Sequence, residues 1–372
     1  MATAYDLTSA SGVQQFLADT QFASTRVAVL AGGTGNFAYR LHLSAPYDGR
    51  TTLVLKHAQP YAALSPEIPL AIARQAFEAK ALEKVRQSPV CGPLATVPEL
   101  HHFDENAHIL IMDDCGEDAL NLKQLMLTAA PSPAVAREIG SALGQFLGRL
   151  HSWGTANQAL LDYFDKNQLG KDITAWITYG RLISTLTTDN LPAVALLPQQ
   201  VSESDLNAIR AIVDERTAEI RTSRSAFTMG DFWTGNIMVN ICSDPATGAP
   251  SFAGVHVIDW EIAKPGVPAL DVGQFCAEMH CVTLFKPEAA DSASALIAAF
   301  LTAYRAHCGT LTPYLPNIAA KHLGAHLVTI TPRVGWGPPE QTVKAIQEGL
   351  TYLIKGSSDR WVREESVFAP LL

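Results

Sequence analysis

The first part of the chain has the short hydrophobic runs that are typical of β-strands. Residues 25–43, "TRVAVLAGGTGNFAYRLHL", predict a strand, a glycine-rich turn and a second strand, and residues 51–58, "TTLVLKHA", predict a third. A helix is expected before them, around residues 10–20. Residues 70–88 have apolar side chains at helical spacing without glycine or proline, which predicts another helix. Residues 95–116 predict a hairpin whose second strand runs into a polar connection.

From Leu120 onward the hydrophobic spacing changes to that of helices. Only two strands are expected to interrupt this region, and the turn-rich sequence between them predicts a hairpin. The segments with helical spacing are 134–154, 159–188, 203–221 and several after residue 285, and the two strands are 236–241 and 254–261.

This order of elements predicts an α+β fold with two lobes. We expect a small β-rich lobe over residues 1–112, a hinge over 113–118, and a larger, mainly helical lobe over 119–372. A chain of 372 residues is long enough for each lobe to have its own hydrophobic core.

The composition narrows the class of protein. Hydrophobic residues make up 48% and charged residues 17% of the chain, which indicates a globular protein without disordered regions. The net charge of -9 argues against nucleic acid or an anionic membrane as a partner, because either requires a basic surface patch. The longest apolar stretch, residues 293–304, is too short to span a bilayer, and the N-terminal segment lacks the pattern of a secretory signal. We therefore expect a cytoplasmic monomer.

The segment "TMGDFWTGNIMV", residues 228–239, places Asp231 five positions before Asn236 on a loop that enters a predicted strand. A carboxylate and an amide at this spacing can reach one site, the carboxylate toward a hydroxyl and the amide toward a cation. That is the arrangement of a phosphoryl-transfer loop. The alternative is a turn in which both side chains only bind nearby backbone groups. Because the motif is short, other residues must decide between the two.

Lys56 lies between apolar residues of a predicted strand, where its ammonium group requires an anionic partner. Glu78, on the following predicted helix, is a candidate for that partner. A strand lysine followed by a helical glutamate is the order in which kinase-like folds hold nucleotide phosphates. The alternative is that each residue is a surface charge on an amphipathic element.

The glycine-rich turn upstream of Lys56 is a second candidate for phosphate contacts, because a backbone with few side chains can approach phosphate oxygens closely. The turn matches neither the Rossmann nor the P-loop motif, and a plain hairpin turn has the same composition. Its residues are Gly32, Gly33, Thr34, Gly35 and Asn36.

Asp259 ends an apolar strand, where a carboxylate must contact either water or a positive group. Together with Asp231 and Asn236 it is the second carboxylate that a shared magnesium site needs, since Mg²⁺ binds oxygen ligands and neutralises a triphosphate. Two carboxylates also fit the acid/base pair of a glycosidase. That interpretation leaves the glycine turn, Lys56 and Glu78 without roles.

With these motifs the sequence resembles the aminoglycoside and choline kinase-like phosphotransferases, which have a protein kinase-like two-lobe fold. "MGDFWTGN" is similar to the family motif H-x-D-x-x-x-x-N, with Met229 in the histidine position. "IDWEIAKPGVPALDVGQF" is similar to the family's metal-binding segment, with Asp259 first and Asp271 second. The resemblance covers nearly the whole chain and looks closest to the fungal 4-hydroxytryptamine kinase-like and methylthioribose kinase-like branches. It implies ATP and Mg²⁺ as cofactors and a small-molecule hydroxyl as the acceptor.

The resemblance also implies roles for individual residues of the helical lobe. Asp231 is expected to be the catalytic base, and Asn236 and Asp259 are expected to be magnesium ligands. Asp271 is expected to accept backbone hydrogen bonds from the catalytic loop. Met229 replaces a histidine that in the family packs and orients the loop, so we expect activity to survive the replacement.

In the β-rich lobe, the resemblance implies that Lys56 contacts the ATP phosphates and is braced by Glu78. Backbone groups of the hinge are expected to meet the adenine ring. The hinge residues expected to do so are Met112, Asp113, Asp114 and Cys115.

The sequence leaves the acceptor open among a 4-hydroxytryptamine-like metabolite, methylthioribose or another small alcohol, and an aminoglycoside. Arg333 and Trp336, on a Pro/Gly-rich turn between predicted helices, are candidate residues of the acceptor pocket. The alternative is a capped interhelical loop with Trp336 packed inward. His151 is expected to be a core histidine at a helix end. A nucleotide-binding pseudokinase is the alternative from a different functional class, suggested by Met229 and the non-standard glycine turn.

Overall fold

The computed structural model describes residues 5–31, 33–243 and 248–372. The strands are β1 (Ser24–Val29), β2 (Phe37–Tyr47), β3 (Arg50–His57), β4 (Tyr61–Ala62), β5 (Ser65–Pro69), β6 (Ala95–Thr96), β7 (Leu100–Asp104), β8 (Ile109–Asp113), β9 (Leu120–Asn121), β10 (Ala226–Thr228), β11 (Ile237–Ser243), β12 (Pro250–Val257) and β13 (Lys264–Gly266).

The α-helices are α1 (Ala10–Leu17), α2 (Arg74–Arg86), α3 (Leu122–Thr128), α4 (Pro133–Thr155), α5 (Gln158–Phe164), α6 (Gln168–Thr174), α7 (Leu182–Thr187), α8 (Pro192–Ala195), α9 (Glu203–Thr222), α10 (Pro268–Phe285), α11 (Ala290–His307), α12 (Leu315–Thr329), α13 (Pro339–Lys355) and α14 (Asp359–Glu365). A π-helical turn spans Ala175–Gly180, and short 3₁₀ turns include Thr234–Asn236 and Thr331–Arg333.

The chain divides into two compact units. The first unit consists of Met1–Ser88 and Val97–Asp118, and the second of Pro89–Thr96 and Ala119–Leu372. The predicted hinge, residues 113–118, is therefore part of the first unit. Residues 89–96 belong to the second unit, where β6 pairs in parallel with β12.

The first unit is built on an antiparallel sheet with the strand order β1-β2-β3-β8-β7. Alternate residues of β3 and β8 point into one core, among them Leu53, Leu55, Ile109 and Ile111, as the two-residue period of a strand requires. The predicted strands are confirmed by this pairing, and the hairpin expected over 95–116 forms over residues 100–113, because residues 95–96 pair with β12 instead. The predicted helix 70–88 is shorter, because the chain before Arg74 forms a turn after the β4–β5 hairpin.

The second unit is mainly helical, and its longest helix packs closely on α11. Glycines on one face of α4 permit this approach: a Cβ atom on Gly144 would lie 2.1 Å from the carbonyl oxygen of Phe300, and one on Gly140 would lie 2.3 Å from that of Leu296. The predicted helices at 134–154 and 203–221 correspond to α4 and α9. The 159–188 region is not one continuous helix but α5, α6, the π-helical turn and α7.

The prediction that only two strands interrupt the helices is wrong. The expected hairpin forms as β11–β12, within a sheet of order β6-β12-β11-β9, and ends at Val257 rather than at residue 261. In addition, β10 pairs with β13. Strands of two or three residues are too short to produce a recognisable hydrophobic period. Among the described residues, no helix is both long enough and apolar enough to cross a membrane.

Candidate active site

Asp231 and Asn236 contact each other directly in the loop between β10 and β11. The 3₁₀ turn at Thr234–Asn236 brings the amide of Asn236 back toward Asp231, where Nδ2 donates to the carboxylate Oδ2 at 2.9 Å and to the backbone oxygen at 3.1 Å. The other carboxylate oxygen, Oδ1, accepts a hydrogen bond of 2.9 Å from Nε2 of Gln274. Two amides therefore fix the orientation of this carboxylate.

The environment of Asp231 makes it a better base than an ordinary aspartate. Burial raises its pKa to about 6, and the nearby charge of Asp259 acts in the same direction, while the hydrogen bonds from Gln274 and Asn236 oppose the rise. A carboxylate with this pKa is mainly ionised at neutral pH and still has useful proton affinity.

Asp271 holds the start of the same loop. Its two carboxylate oxygens accept hydrogen bonds of 2.9 Å from the backbone N–H groups of Met229 and Gly230, as expected from the sequence. Nε2 of His151 lies 3.2 Å from Oδ2 of Asp271, and its Nδ1 lies 2.9 Å from the hydroxyl of Tyr304. His151 is buried near the end of α4, as predicted, but it also orients Asp271.

Gly230 allows the loop to turn at this point. Its φ angle is +81°, in the left-handed region that favours glycine. A Cβ atom here would also lie 2.3 Å from Nζ of Lys264 and 2.9 Å from the carbonyl oxygen of Ile262. The side chain of Phe232 anchors the loop, since it is fully buried against Phe275 with ring centroids 5.4 Å apart.

Three polar side chains of α10 face the loop. Asp271 binds the backbone at residues 229 and 230, Gln274 binds Asp231, and Glu278 accepts a 3.2 Å hydrogen bond from the hydroxyl of Thr234. Sequence reasoning identified only Asp271. The spacing i, i+3 and i+7 in an otherwise apolar helix was the signal that could have revealed Gln274 and Glu278.

Asp259 lies two residues after the end of β12 and has a φ angle of +64°, which is unusual for a residue other than glycine. The backbone N–H of Ile258 donates to the carbonyl oxygen of Asn236 at 2.9 Å, so Asp259 lies beside the loop that contains Asp231. Because Nδ2 of Asn236 is engaged by Asp231, its side-chain oxygen points elsewhere. A carboxylate and an amide oxygen on two neighbouring segments are ligand types suited to a hard divalent cation such as Mg²⁺.

In the first unit, Lys56 and Glu78 form the predicted ion pair. Nζ of Lys56 lies 2.5 Å from Oε1 of Glu78, and both side chains are buried. Gln75, one turn earlier on α2, donates from Nε2 to the backbone oxygen of Lys56 at 3.1 Å. The structure thus brings together two residues that the sequence had separated by 22 positions.

The glycine-rich turn of the first unit is tied to the start of α2. The buried guanidinium of Arg74 donates to the carbonyl oxygen of Gly35 at 2.9 Å and to Oδ1 of Asn36 at 3.0 Å. Gly33 and Thr34 are exposed. Gly32, which was also predicted to contact phosphates, lies outside the described residues. Arg74 was not anticipated, because nothing in the sequence distinguishes it from a surface arginine.

The side chains of the predicted hinge are engaged within the first unit. Asp114 accepts two hydrogen bonds from the guanidinium of Arg40, at 2.6 and 2.9 Å, and Asp113 accepts one from Arg50 at 2.5 Å. Met112 is buried in β8. Burial raises the pKa of the Cys115 thiol to about 12, so the thiol is neutral. These side chains are therefore paired or buried, which leaves the backbone groups of residues 112–115 for any contact with a ligand.

A recess in the second unit opens beside Asp231. The empty space counted out to its mouth is about 540 Å³, a figure that includes open solvent. Apolar side chains make up most of its wall, with a few polar groups among them. The lining residues include Ile173, Ile177, Thr178, Asp231, Lys264 and His322.

Arg333 and Trp336 do not line this recess, although Ile330 of the same segment does. Arg333 forms an ion pair with Asp189, and the ring of Trp336 stacks on Phe285 with centroids 5.9 Å apart. The geometry leaves both residues on a neighbouring surface of the second unit. Their predicted role in acceptor binding remains a prediction.

Lys123 packs on the neighbouring surface that contains Trp336. Nζ of Lys123 lies 3.8 Å from the ring centroid of Trp336 and 5.7 Å from that of Trp233, and it is 3.6 Å from the buried carboxylate of Glu278. Burial tends to raise the pKa of Glu278, but the hydrogen bond from His326 and the nearby charges outweigh it, and the pKa is lowered. Glu278 is therefore ionised and can hold Lys123 in place.

Comparison with known proteins agrees with this geometry. The profile of the phosphotransferase enzyme family, APH, matches residues 26–309. The chain is 28% identical over 366 residues to 4-hydroxytryptamine kinase of Psilocybe cyanescens, which covers 95% of each chain. It is 26% identical to 4-hydroxytryptamine kinase of Psilocybe cubensis, over 93% of this chain and 92% of the relative.

Among solved structures, an amicoumacin kinase in complex with AMP-PNP and Ca²⁺ matches 94% of both chains with a TM-score of 0.50 at 11% identity. At this identity the match bears on the fold alone, and the protein kinase-like fold expected from the sequence is confirmed. The matched family profile spans most of both units. The chain belongs to the phosphotransferase enzyme family and is a small-molecule kinase.

Proposed function

We propose that this kinase transfers the γ-phosphoryl group of ATP to a hydroxyl group of a small molecule bound in the recess beside Asp231. The observation that carries the proposal is the Asp231 carboxylate, which has a raised pKa, is oriented by two amides and lines a recess. These are the properties of a base that accepts the proton of an attacking hydroxyl.

In the proposed reaction, the acceptor oxygen forms a bond to the γ-phosphorus while the bond between that phosphorus and the β,γ-bridging oxygen breaks. The hydroxyl proton passes to Asp231, and ADP leaves. Positioning and charge neutralisation supply most of the acceleration in phosphoryl transfer, so Asp231 takes the proton late. The hydrogen bonds from Gln274 and Asn236 keep its carboxylate directed at the acceptor.

Lys56 is the proposed phosphate-binding residue of the first unit. Glu78 lies against its ammonium group and keeps it charged and fixed despite its burial. The glycine-rich turn, held by Arg74, offers backbone N–H groups to the same phosphates. Backbone groups of residues 112–115 are proposed to contact adenine, because the two aspartate side chains there are already paired with arginines.

Asn236 and Asp259 are the proposed ligands of a magnesium ion. Their oxygen donors fit a hard cation, and the mutual repulsion that helps to raise the pKa of Asp231 would be relieved by positive charge beside Asp259. A bound magnesium ion would supply neutralisation of phosphate charge. The left-handed backbone at Asp259 is strain of the kind retained at functional sites.

The relatives named 4-hydroxytryptamine kinase make a hydroxylated indole the first acceptor to test. Purified enzyme would be incubated with ATP and Mg²⁺ and, separately, with 4-hydroxytryptamine, methylthioribose, choline and an aminoglycoside. ADP formation and ³¹P NMR of the product measure transfer, and the expected result is a phosphate monoester with at least one of the alcohols. Nucleotide binding without transfer to any acceptor in a wider panel of alcohols would instead support a pseudokinase.

A further inference from the structure

Lys264 is a buried cation in the wall of the recess. The residue is 2% exposed, and the one hydrogen bond that its ammonium group makes to a described residue is long, 3.5 Å from Nζ to the carbonyl oxygen of Ile262. Among the described residues it forms no ion pair, in contrast to the buried Lys171, whose Nζ lies 2.6 Å from Asp165. Burying an ammonium group without a partner is costly, and such a group is normally retained for a ligand.

The carboxylates nearest to Lys264 are already used. The oxygens of Asp271 accept the backbone N–H groups of the catalytic loop, and those of Asp231 accept the amides of Asn236 and Gln274. Their charges act on Lys264 from a distance and raise its pKa, although burial outweighs them and lowers it to about 8. Lys264 is therefore mainly protonated at neutral pH and has N–H donors to spare.

Two other groups near Lys264, His322 and Lys171, do not supply it with a negatively charged partner. His322 is neutral, because burial lowers its pKa to about 3, and it pairs with the hydroxyl of Tyr179. The charge of Lys171 adds to the positive potential at Lys264. The hydroxyl of Thr178, on the π-helical turn, lines the recess and makes no side-chain hydrogen bond to a described residue. Lys264 and Thr178 thus each offer the recess a hydrogen-bond donor, and that of Lys264 is charged.

We propose that the recess binds an acceptor that carries an anionic group, a carboxylate, in addition to its hydroxyl. Lys264 and Thr178 bind the carboxylate, while the hydroxyl lies at Asp231. This assignment of the carboxylate site rests on the proposed function, which places the acceptor hydroxyl at Asp231. An acceptor that ends in an ammonium group has only donors to offer, so it would leave the buried ammonium of Lys264 unpaired.

The test uses three 4-hydroxyindoles that share one ring and one hydroxyl and carry a propionate, an ethyl or an ethylamine side chain. Affinity is measured by calorimetry without nucleotide, and kcat/KM is measured with ATP. We expect the propionate to bind about tenfold or more tightly than the ethyl compound, and the ethylamine most weakly, since a hydrogen bond to a charged group contributes about 1.5–3 kcal/mol.

The Lys264→Met variant should lose this preference: affinity for the propionate falls about tenfold or more, and that for the ethyl compound changes less than about threefold. Lys264→Arg keeps the charge and should keep the preference. Lys171→Met removes a buried lysine that does not line the recess and should leave the preference unchanged. Thermal unfolding of each variant verifies that it is folded.

Tighter binding of the ethylamine in the wild type, or the same ratio of affinities in Lys264→Met, would overturn the proposal. Failure of all three compounds to bind would also overturn it for this recess. The proposed function fails separately: if the propionate binds through Lys264 but no compound is phosphorylated, the anion site stands and the kinase reaction at Asp231 does not. If the compounds are phosphorylated but the ethylamine is preferred, the kinase reaction at Asp231 stands and the anion site at Lys264 does not.

Discussion

At the scale of single residues, the proposed chemistry depends on how far burial removes each carboxylate and each ammonium group from water. Asp231, Asp259 and Lys264 are ordinary charged residues in the sequence. Burial raises the pKa of Asp231 and lowers that of Lys264, which brings the two values toward neutrality. Such shifted groups beside one recess are a feature of functional sites.

Replacing Asp231 with alanine should abolish transfer and leave nucleotide affinity nearly unchanged. In the proposed reaction the base acts on the acceptor hydroxyl, and a general base contributes about 10²–10⁴-fold to the rate. The kcat with a substrate identified in the acceptor panel and the Kd for ATP measure the two effects. Retention of a tenth or more of wild-type turnover would remove Asp231 from the mechanism.

Replacing Asp259 with asparagine should raise the magnesium concentration needed for half-maximal activity and weaken nucleotide binding. Asparagine tolerates the left-handed backbone at this position, so the change removes charge without adding strain. Asp48→Asn is the matched control, because Asp48 also has a positive φ angle, of 45°, but lies in the β2–β3 turn. An unchanged magnesium titration in Asp259→Asn would contradict the assignment.

At the scale of elements, the loop that contains Asp231 is held mainly by one helix. The side chains of Asp271, Gln274 and Glu278 extend from α10 to three successive parts of the loop, and Phe275 packs against Phe232. The loop itself contributes backbone N–H groups and one aromatic anchor. Its geometry therefore depends on the docking of α10 more than on its own sequence.

Asp271→Ala should lower turnover by about an order of magnitude or more with little change in ATP affinity, an effect of the size seen when supporting groups are removed. Met229→His should leave turnover within a few-fold, because the backbone N–H of residue 229 still donates to Asp271. Kinetics of the two variants side by side give the comparison. An inactive Met229→His together with a normal Asp271→Ala would show that the side chain at position 229, rather than Asp271, holds the loop.

Gly144→Ala tests the packing of α4 on α11. The new Cβ would lie 2.1 Å from the Phe300 carbonyl oxygen, so the helices must separate, and overpacking of this kind costs about 1–3 kcal/mol. We expect the melting temperature to fall by several degrees. Gly92→Ala is the control, because its Cβ would meet only Nη1 of Arg149 at 3.5 Å, an ordinary contact. Equal melting temperatures for the two variants would rule out the close helix contact.

At the scale of the whole molecule, stability and function make opposite demands on Lys264. Its pKa falls from 10.5 to about 8 on folding, which corresponds to a cost of about 3 kcal/mol in the free energy of unfolding at neutral pH. Natural proteins accept such costs at functional sites. The unfolded chain binds more protons than the folded chain between about pH 8 and 10.5, so the cost disappears as the pH rises through this range.

Lys264→Met should therefore raise the melting temperature at pH 7, and the gain should shrink as the pH approaches 10. A methionine fills a similar volume and has no charge to desolvate. Thermal unfolding of wild type and variant at pH 7, 8, 9 and 10 measures the difference. A variant less stable than wild type at pH 7, or a difference that does not depend on pH, would mean that the ammonium group is well solvated in the folded protein.

Several features could be predicted from the sequence because their causes are local. The two-residue period of β3 and the helical period of α4 belong to single segments, and each was identified. Asp231 and Asn236 meet because the chain folds back within five positions, through the 3₁₀ turn at Thr234–Asn236. Lys56 and Glu78 were paired by their order along the chain, and the ion pair confirms that pairing.

The other half of the site depends on residues that are distant in sequence. Gln274 lies 43 positions from Asp231, and Glu278 lies 44 positions from Thr234. Their contacts form only when α10 docks beneath the loop. The three-residue pairing of β10 with β13, which places Lys264 beside Gly230, was equally invisible, since short strands have no detectable period.

The sequence by itself determined the kinase-like fold and the pairing of Asp231 with Asn236 on one loop, because hydrophobic period and motif spacing are properties of the chain. Only the tertiary structure decided which side chains orient Asp231, and that Lys264 is buried in the recess with N–H donors to spare. The physical reason is that the solvation and hydrogen bonding of a charged group depend on atoms supplied by distant segments, which reach it only through packing.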